Sequence, residues 1–192
     1  YNPHASGGHP DTEGNKNILL HWPSAERFPY RGTALAVHIL RLYSLVLGAL
    51  TIYGIYRLAR QWWPPSSLRP LAAAAMVAFN PQFVYIHSGV INDVLAITLC
   101  TWVLERASWL LGVDEPFAAR RRWTWLAIGV GSGLAILSKL SSALLLPLIA
   151  LLLLWLGWRQ RAYVTAALHL LAITGSAAFT SGWWFWRNWQ LY

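Results

Sequence analysis

The 192-residue chain is 56% hydrophobic and only 11% charged, with 13 Trp and a formal net charge of +8. Soluble domains carry about 25% charged residues, so lipid is the expected solvent, and indoles suit a membrane interface, where the ring is apolar and its N–H stays wet. The positive charge does not indicate nucleic acid, because the basic residues fall between apolar runs rather than along one amphipathic face.

In chain order, residues 1–32 read as an extracytoplasmic loop segment rich in Gly, Pro, His, Asn and Asp. His4, His9, Asp11 and His21 lie within it, but their spacings match no compact metal-ligand motif, and no metal site is assigned. The chain lacks an initiator Met and a signal peptide, and it stops at Trp189-Gln190-Leu191-Tyr192 without a polar tail. It therefore reads as a fragment lacking both ends, with residues 33–192 forming a truncated transmembrane helical domain.

About six apolar runs follow, so the expected fold is all-α and polytopic. They cover about Thr33 to Tyr56, Leu71 to Ile86, Asn92 to Leu111 and Trp123 to Leu137, then, after Ser138-Lys139, a fifth to about Trp155 and a sixth from Tyr163 to Trp186. A helix needs about 20 residues to cross the hydrocarbon core, so the second and fourth runs require tilt or local thinning. Strands are disfavoured, because no period-two alternation appears and an open sheet cannot sit in lipid. Asn80-Pro81 should kink the second run, since proline removes a helix hydrogen bond. Gly129, Gly131 and Gly133 read as packing positions in an apolar helix rather than a phosphate loop. The single cysteine, Cys100, lies inside an apolar run and behaves as a small hydrophobe.

Basic residues orient the helices. Arg57, Arg60 and Arg69 follow the first run, Arg120, Arg121 and Arg122 the third, and Arg159 and Arg161 the fifth. The opposite links hold only Lys139, with Arg187 at the exit of the sixth run. The Arg-rich side is thus cytoplasmic. The N-terminal loop, the His87–Asn92 link, the Ser138–Ser142 link and the terminal Trp cluster then face outward.

Asp93, Lys139 and Arg187 fall at that outer level. One carboxylate and two cations there could hold a phosphate-bearing substrate, with Arg offering a fork and Lys a point charge. The plainer alternatives are a helix-start carboxylate for Asp93 and a snorkelling side chain for Lys139. Arg41 shares a helix face with His38, Ser44 and Gly48, and is within reach of the outer cavity or of a neighbouring helix. Glu105 and Arg106 are adjacent, should point in different directions, and read as interface residues.

Several short motifs stand in order along the chain: Arg41-Leu42-Tyr43-Ser44 with Gly48, Tyr56-Arg57-Leu58-Ala59-Arg60, and Phe79-Asn80-Pro81-Gln82-Phe83. Asn92-Asp93-Val94-Leu95, Gly133-Leu134-Ala135-Ile136-Leu137-Ser138-Lys139, and Gly182-Trp183-Trp184-Phe185-Trp186-Arg187-Asn188-Trp189 continue the series. The whole pattern resembles the GT-C type membrane glycosyltransferases, such as lipid A aminoarabinose transferases and protein O-mannosyltransferases. The likeness implies inverting transfer of a sugar from a polyprenyl-phosphate donor, on the outer face of the cytoplasmic membrane, to a glycan, lipid or protein acceptor. A divalent cation is the one cofactor this reading leaves open. The resemblance makes Asp93 a second acidic residue of the outer loops, and Lys139 and Arg187 candidates for the donor phosphate or for structural support. It also places the catalytic Asp upstream of this sequence, so the fragment alone is expected to be inactive, and Asp11, Glu13 and Glu26 are not promoted in its place.

A polytopic transporter or lipid flippase is the alternative, and a non-catalytic membrane scaffold a third reading. Transport would need polar groups and broken helices converging at the bilayer midplane. Apart from Asn80-Pro81 and Arg41, the polar groups gather at the outer edge instead.

Overall fold

The computed structural model describes residues 27–64, 66–118 and 121–191, and divides the chain into two compact units, Tyr1–Tyr43 and Ser44–Tyr192. Every regular element among the described residues is helical: α1 (Gly32–Arg60), α2 (Arg69–Ala78), α3 (Pro81–Ser88), α4 (Asn92–Leu111), α5 (Arg122–Ser138), a 3-10 turn (Leu140–Leu144), α6 (Leu145–Arg159) and α7 (Tyr163–Leu191). The all-α membrane fold expected from the sequence is therefore present.

Among the described residues, four segments are long and apolar enough to cross a membrane: Gly32–Arg60, Asn92–Leu111, Leu140–Arg159 and Tyr163–Leu191. That is fewer than the six expected, and the two short runs account for the difference. The second run is two helices, not one bent helix. Asn80 closes α2 and caps α3, its Oδ1 accepting from the backbone N–H groups of Gln82 (2.9 Å) and Phe83 (3.3 Å). Pro81 stands at the first helical position, where its missing N–H leaves no helix bond unmade. The fourth run gives α5, whose 17 residues extend about 25 Å, short of a hydrocarbon core of about 30 Å.

Within the first unit, the Tyr30 ring stacks on His38 at 3.7 Å between centroids. His38 Nδ1 donates to the Ala34 carbonyl at 2.8 Å.

In the second unit, small residues set how the helices run. A Cβ on Gly129 would strike Ser176 Oγ and stand 2.9 Å from the Ile173 carbonyl oxygen, and one on Gly133 would stand 2.7 Å from that of Ala177. Backbones thus meet face to face, with residues 129 and 133 beside 173 and 177, so α5 and α7 run parallel. Lipid tails are as apolar as leucine, so close approach at such small-residue stripes, rather than water exclusion, drives helix association in a bilayer. On the other side of α5, Gly131 meets Val103 of α4, and Asn92 bonds the Ser138 carbonyl, so α4 and α5 are antiparallel. Gly157 of α6 meets Ala166 of α7 across a tight turn in which Arg161 adopts a left-handed φ of 52°.

The core lies among α4, α5, α6 and α7. Leu110, Trp125, Ile128, Ile149, Leu153, Leu156 and Ile173 are its fully buried large side chains. Outward-facing positions are as apolar as inward ones, as Leu126, Leu148, Leu151, Leu154, Leu168 and Phe179 show. Helices hydrophobic all round belong to a membrane.

From Ser44 onward α1 packs along α4 in parallel. Thr51 Oγ1 and Thr98 Oγ1 lie 2.9 Å apart, and Gly54 abuts Thr101. At the far end, Trp62 Nε1 donates to Ser108 Oγ at 3.1 Å.

Candidate functional site

Asp93 stands in the first turn of α4, where unpaired backbone N–H groups favour a negative charge. Lys139 is the extended residue (φ −155°, ψ 123°) between α5 and the 3-10 turn. Because α4 and α5 are antiparallel, these two helix ends coincide. Lys139 Nζ sits 2.8 Å from both Asp93 oxygens. Beside the pair, Asn92 Nδ2 donates to the Ser138 carbonyl at 3.0 Å. Residues 46 positions apart in sequence are thereby joined at one end of the unit.

The pair is half in solvent, the lysine side chain 45% exposed and the aspartate 30%. Exposed pairs of this kind contribute only about 0–1 kcal/mol, so Lys139 can leave Asp93 for a stronger anion at little cost. A phosphate is such an anion.

Within the second unit, Arg187 lies apart from the pair. The α5–α7 register puts the level of Ser138 near Gly182, so Arg187 lies about five residues, or roughly 7 Å, further along α7. Its guanidinium lies 5.7 Å from the centroid of the Trp184 ring. Arg41 belongs to the first unit, is exposed, and makes no ion pair with another described residue.

His87, in the last turn of α3, has no role in the sequence reading. It is 3% exposed and lies against Gly48 and the Phe83 ring, 3.9 Å between centroids. Its Nδ1 stands 2.9 Å from the Phe83 carbonyl and must donate, because that oxygen only accepts. Its Nε2 is buried with no hydrogen-bond partner. Only the position of α1 creates this setting, so no sequence pattern could have flagged it.

At the opposite end, the expectation for Glu105 is corrected. Glu105 is 1% exposed rather than interfacial. Arg57 reaches its Oε1 through Nη2 (3.0 Å) and Nε (3.1 Å), and Arg106 Nε stands 3.3 Å from Oε2. Adjacent residues on a helix diverge at Cβ, but the long arginine side chain folds back.

Among the described residues, no group of three His, Cys, Asp or Glu side chains is placed to hold a metal ion. Asp93, with both oxygens on Lys139, is by itself no fit for a divalent cation, which takes six or more oxygen ligands. His4, His9, Asp11, Glu13, His21 and Glu26 lie outside the described residues.

Against known families, the model described as dolichyl-phosphate-mannose-protein mannosyltransferase matches residues 36–186. No curated protein and no solved structure matches the chain.

Proposed function

The chain belongs to the dolichyl-phosphate-mannose-protein mannosyltransferase family, membrane glycosyltransferases of the GT-C type, and we propose that it takes its sugar from a polyprenyl-phosphate donor at the outer face of the cytoplasmic membrane. The observation that carries this reading is the Lys139–Asp93 pair, an exchangeable cation at a helix end.

In the proposed reaction, an acceptor oxygen or nitrogen forms a bond to the anomeric carbon from one side. The bond from that carbon to the phosphate oxygen breaks on the other, which inverts the centre. The departing polyprenyl phosphate keeps the bonding electrons, and the acceptor proton passes to a base. Charge therefore develops on the phosphate oxygens, where a positioned cation stabilises the transition state. Lys139 supplies that cation, and Asp93 holds it in place until the donor arrives. Arg187 is assigned to the donor's further phosphate or sugar oxygens. Asp93 is not assigned as the base, because both its oxygens face the ammonium. That role goes to a carboxylate upstream of this sequence, as the family resemblance implies. No step is routed through a metal. The acceptor is a glycan, lipid or protein that these residues do not specify.

Sidedness follows from Arg57, Arg60, Arg121, Arg122, Arg159 and Arg161, which cluster at the helix ends away from Lys139 and favour the cytoplasm. Residues 1–32 are then an extracytoplasmic loop and the rest a transmembrane domain.

Membranes carrying the full-length protein should transfer label from a polyprenyl-phosphate sugar pool. Lys139→Ala should lower transfer about a hundredfold, and Asp93→Asn about tenfold. Unchanged transfer by both variants at normal protein levels would reduce the pair to interface roles.

A further inference from the structure

At the end of the second unit opposite Lys139, two clefts adjoin. One is an apolar trough of about 470 Å³ between α1, α4 and α6, lined by Leu58, Leu104, Leu148, Leu152 and Trp155 among others. The second, of about 240 Å³, is lined by Gln61, Trp62, Trp109 and Gly112. Ser108 and Leu111 line both, so the two form one path from the apolar interior to the polar boundary. Ser108 is 15 residues along α4 from Asp93, about 22 Å, so this path is separate from the proposed reacting end.

Two polar groups stand on the path with capacity to spare. Gln61 Nε2 donates to both the backbone oxygen (3.1 Å) and Oε1 (3.3 Å) of Glu105. Both partners are acceptors, which fixes the amide orientation and leaves Gln61 Oε1 buried with no donor. A buried orphan acceptor is destabilising unless something outside the chain satisfies it. At the junction, Arg159 Nη1 reaches the Leu111 carbonyl at 3.4 Å, and its guanidinium lies 5.4 Å from the ring centroid of Trp155, which lines the trough. Arg159 is exposed and has no carboxylate partner among the described residues, which leaves N–H donors open to an outside anion.

We propose that this path is a glycerophospholipid site. One acyl chain lies in the trough, the phosphate sits on Arg159, and a headgroup ammonium or hydroxyl donates to Gln61 Oε1. A free anion would leave the trough empty, and a plain hydrocarbon would leave both polar groups unanswered. A phospholipid meets all three features in their spatial order. Three aromatic residues, Trp62, Trp109 and Trp155, line the path at the level where indoles settle in a bilayer.

The test uses full-length protein, purified in mild detergent, stripped of lipid and exposed to phosphatidylethanolamine or phosphatidylglycerol before native mass spectrometry. The wild type should retain one phospholipid per chain. Arg159→Gln should lower retention about tenfold, the effect of losing a charge-assisted contact. Leu148→Trp, at a 50% exposed rim position, should fill the trough without entering the core and have a similar effect. Arg161→Gln, off the path, should retain lipid as the wild type does. Equal retention by all variants would overturn the proposal, as would preferential capture of polyprenyl phosphate. So would crosslinking of Leu148→Cys to another stretch of the protein lying in the trough.

Discussion

Two carboxylates on α4 divide the tasks of the second unit by their depth. Glu105, 1% exposed, receives Arg57, Arg106 and Gln61 together and is a fixed anchor between α1 and α4. Removing one member of such a cluster leaves an uncompensated buried charge. Asp93 faces a single lysine at the solvent edge. Substitution should therefore separate the two. Glu105→Gln should lower the unfolding temperature in detergent, by about 2 kcal/mol of stability given that Arg57 is 35% exposed. Asp93→Asn should change stability by less than about 1 kcal/mol. Equal losses of stability would show that Asp93 too is a structural anchor.

At the scale of elements, the α5–α7 contact is the least tolerant surface in the unit. Gly133→Leu should destabilise the protein by about 2 kcal/mol or more, because the new side chain meets the Ala177 backbone and cannot be accommodated by rotation. Leu134→Ala, at a 42% exposed position one residue along, is the control. Unfolding curves that coincide for Gly133→Leu and wild type would contradict the observed packing. The apolar runs made most of these helices legible in advance, and Asn92–Leu111 coincides with its predicted bounds. The glycine stripe, too, read correctly as packing. Less legible was the break at Asn80, because whether Asn-Pro kinks or ends a helix depends on the amide turning to cap the next one. The 3-10 turn before α6 also escaped, since nothing in Leu140–Leu144 distinguishes it from helix by pattern. The parallel run of α5 and α7 is a property of their packing and not of either sequence. As for the site, counting helices and basic loops put Asp93 and Lys139 at one level, but their contact is a finding of the structure. The burial of His87 and Glu105 did not, because it depends on where α1 lies.

Across the whole of the second unit, charge is arranged by function and solvent together. Arginines crowd one end, where they anchor the helices, meet Glu105 and, as proposed, hold a phospholipid. The Lys139–Asp93 pair stands at the other end with its cation exchangeable. Between the ends lies a bundle apolar on its outer surface as well as in its core. This arrangement fits transfer chemistry at a membrane face better than passage through the membrane. The direct measurement is labelling of Leu140→Cys, beside Lys139 and 65% exposed as leucine, by a membrane-impermeant maleimide, with native Cys100 replaced by Ala. In intact cells the reagent should reach this position, and added polyprenyl-phosphate sugar should slow the reaction. Arg161→Cys should react only after permeabilisation. Labelling of Arg161→Cys but not Leu140→Cys in intact cells, or labelling of Leu140→Cys that the donor leaves unchanged, would contradict an outward donor site at Lys139.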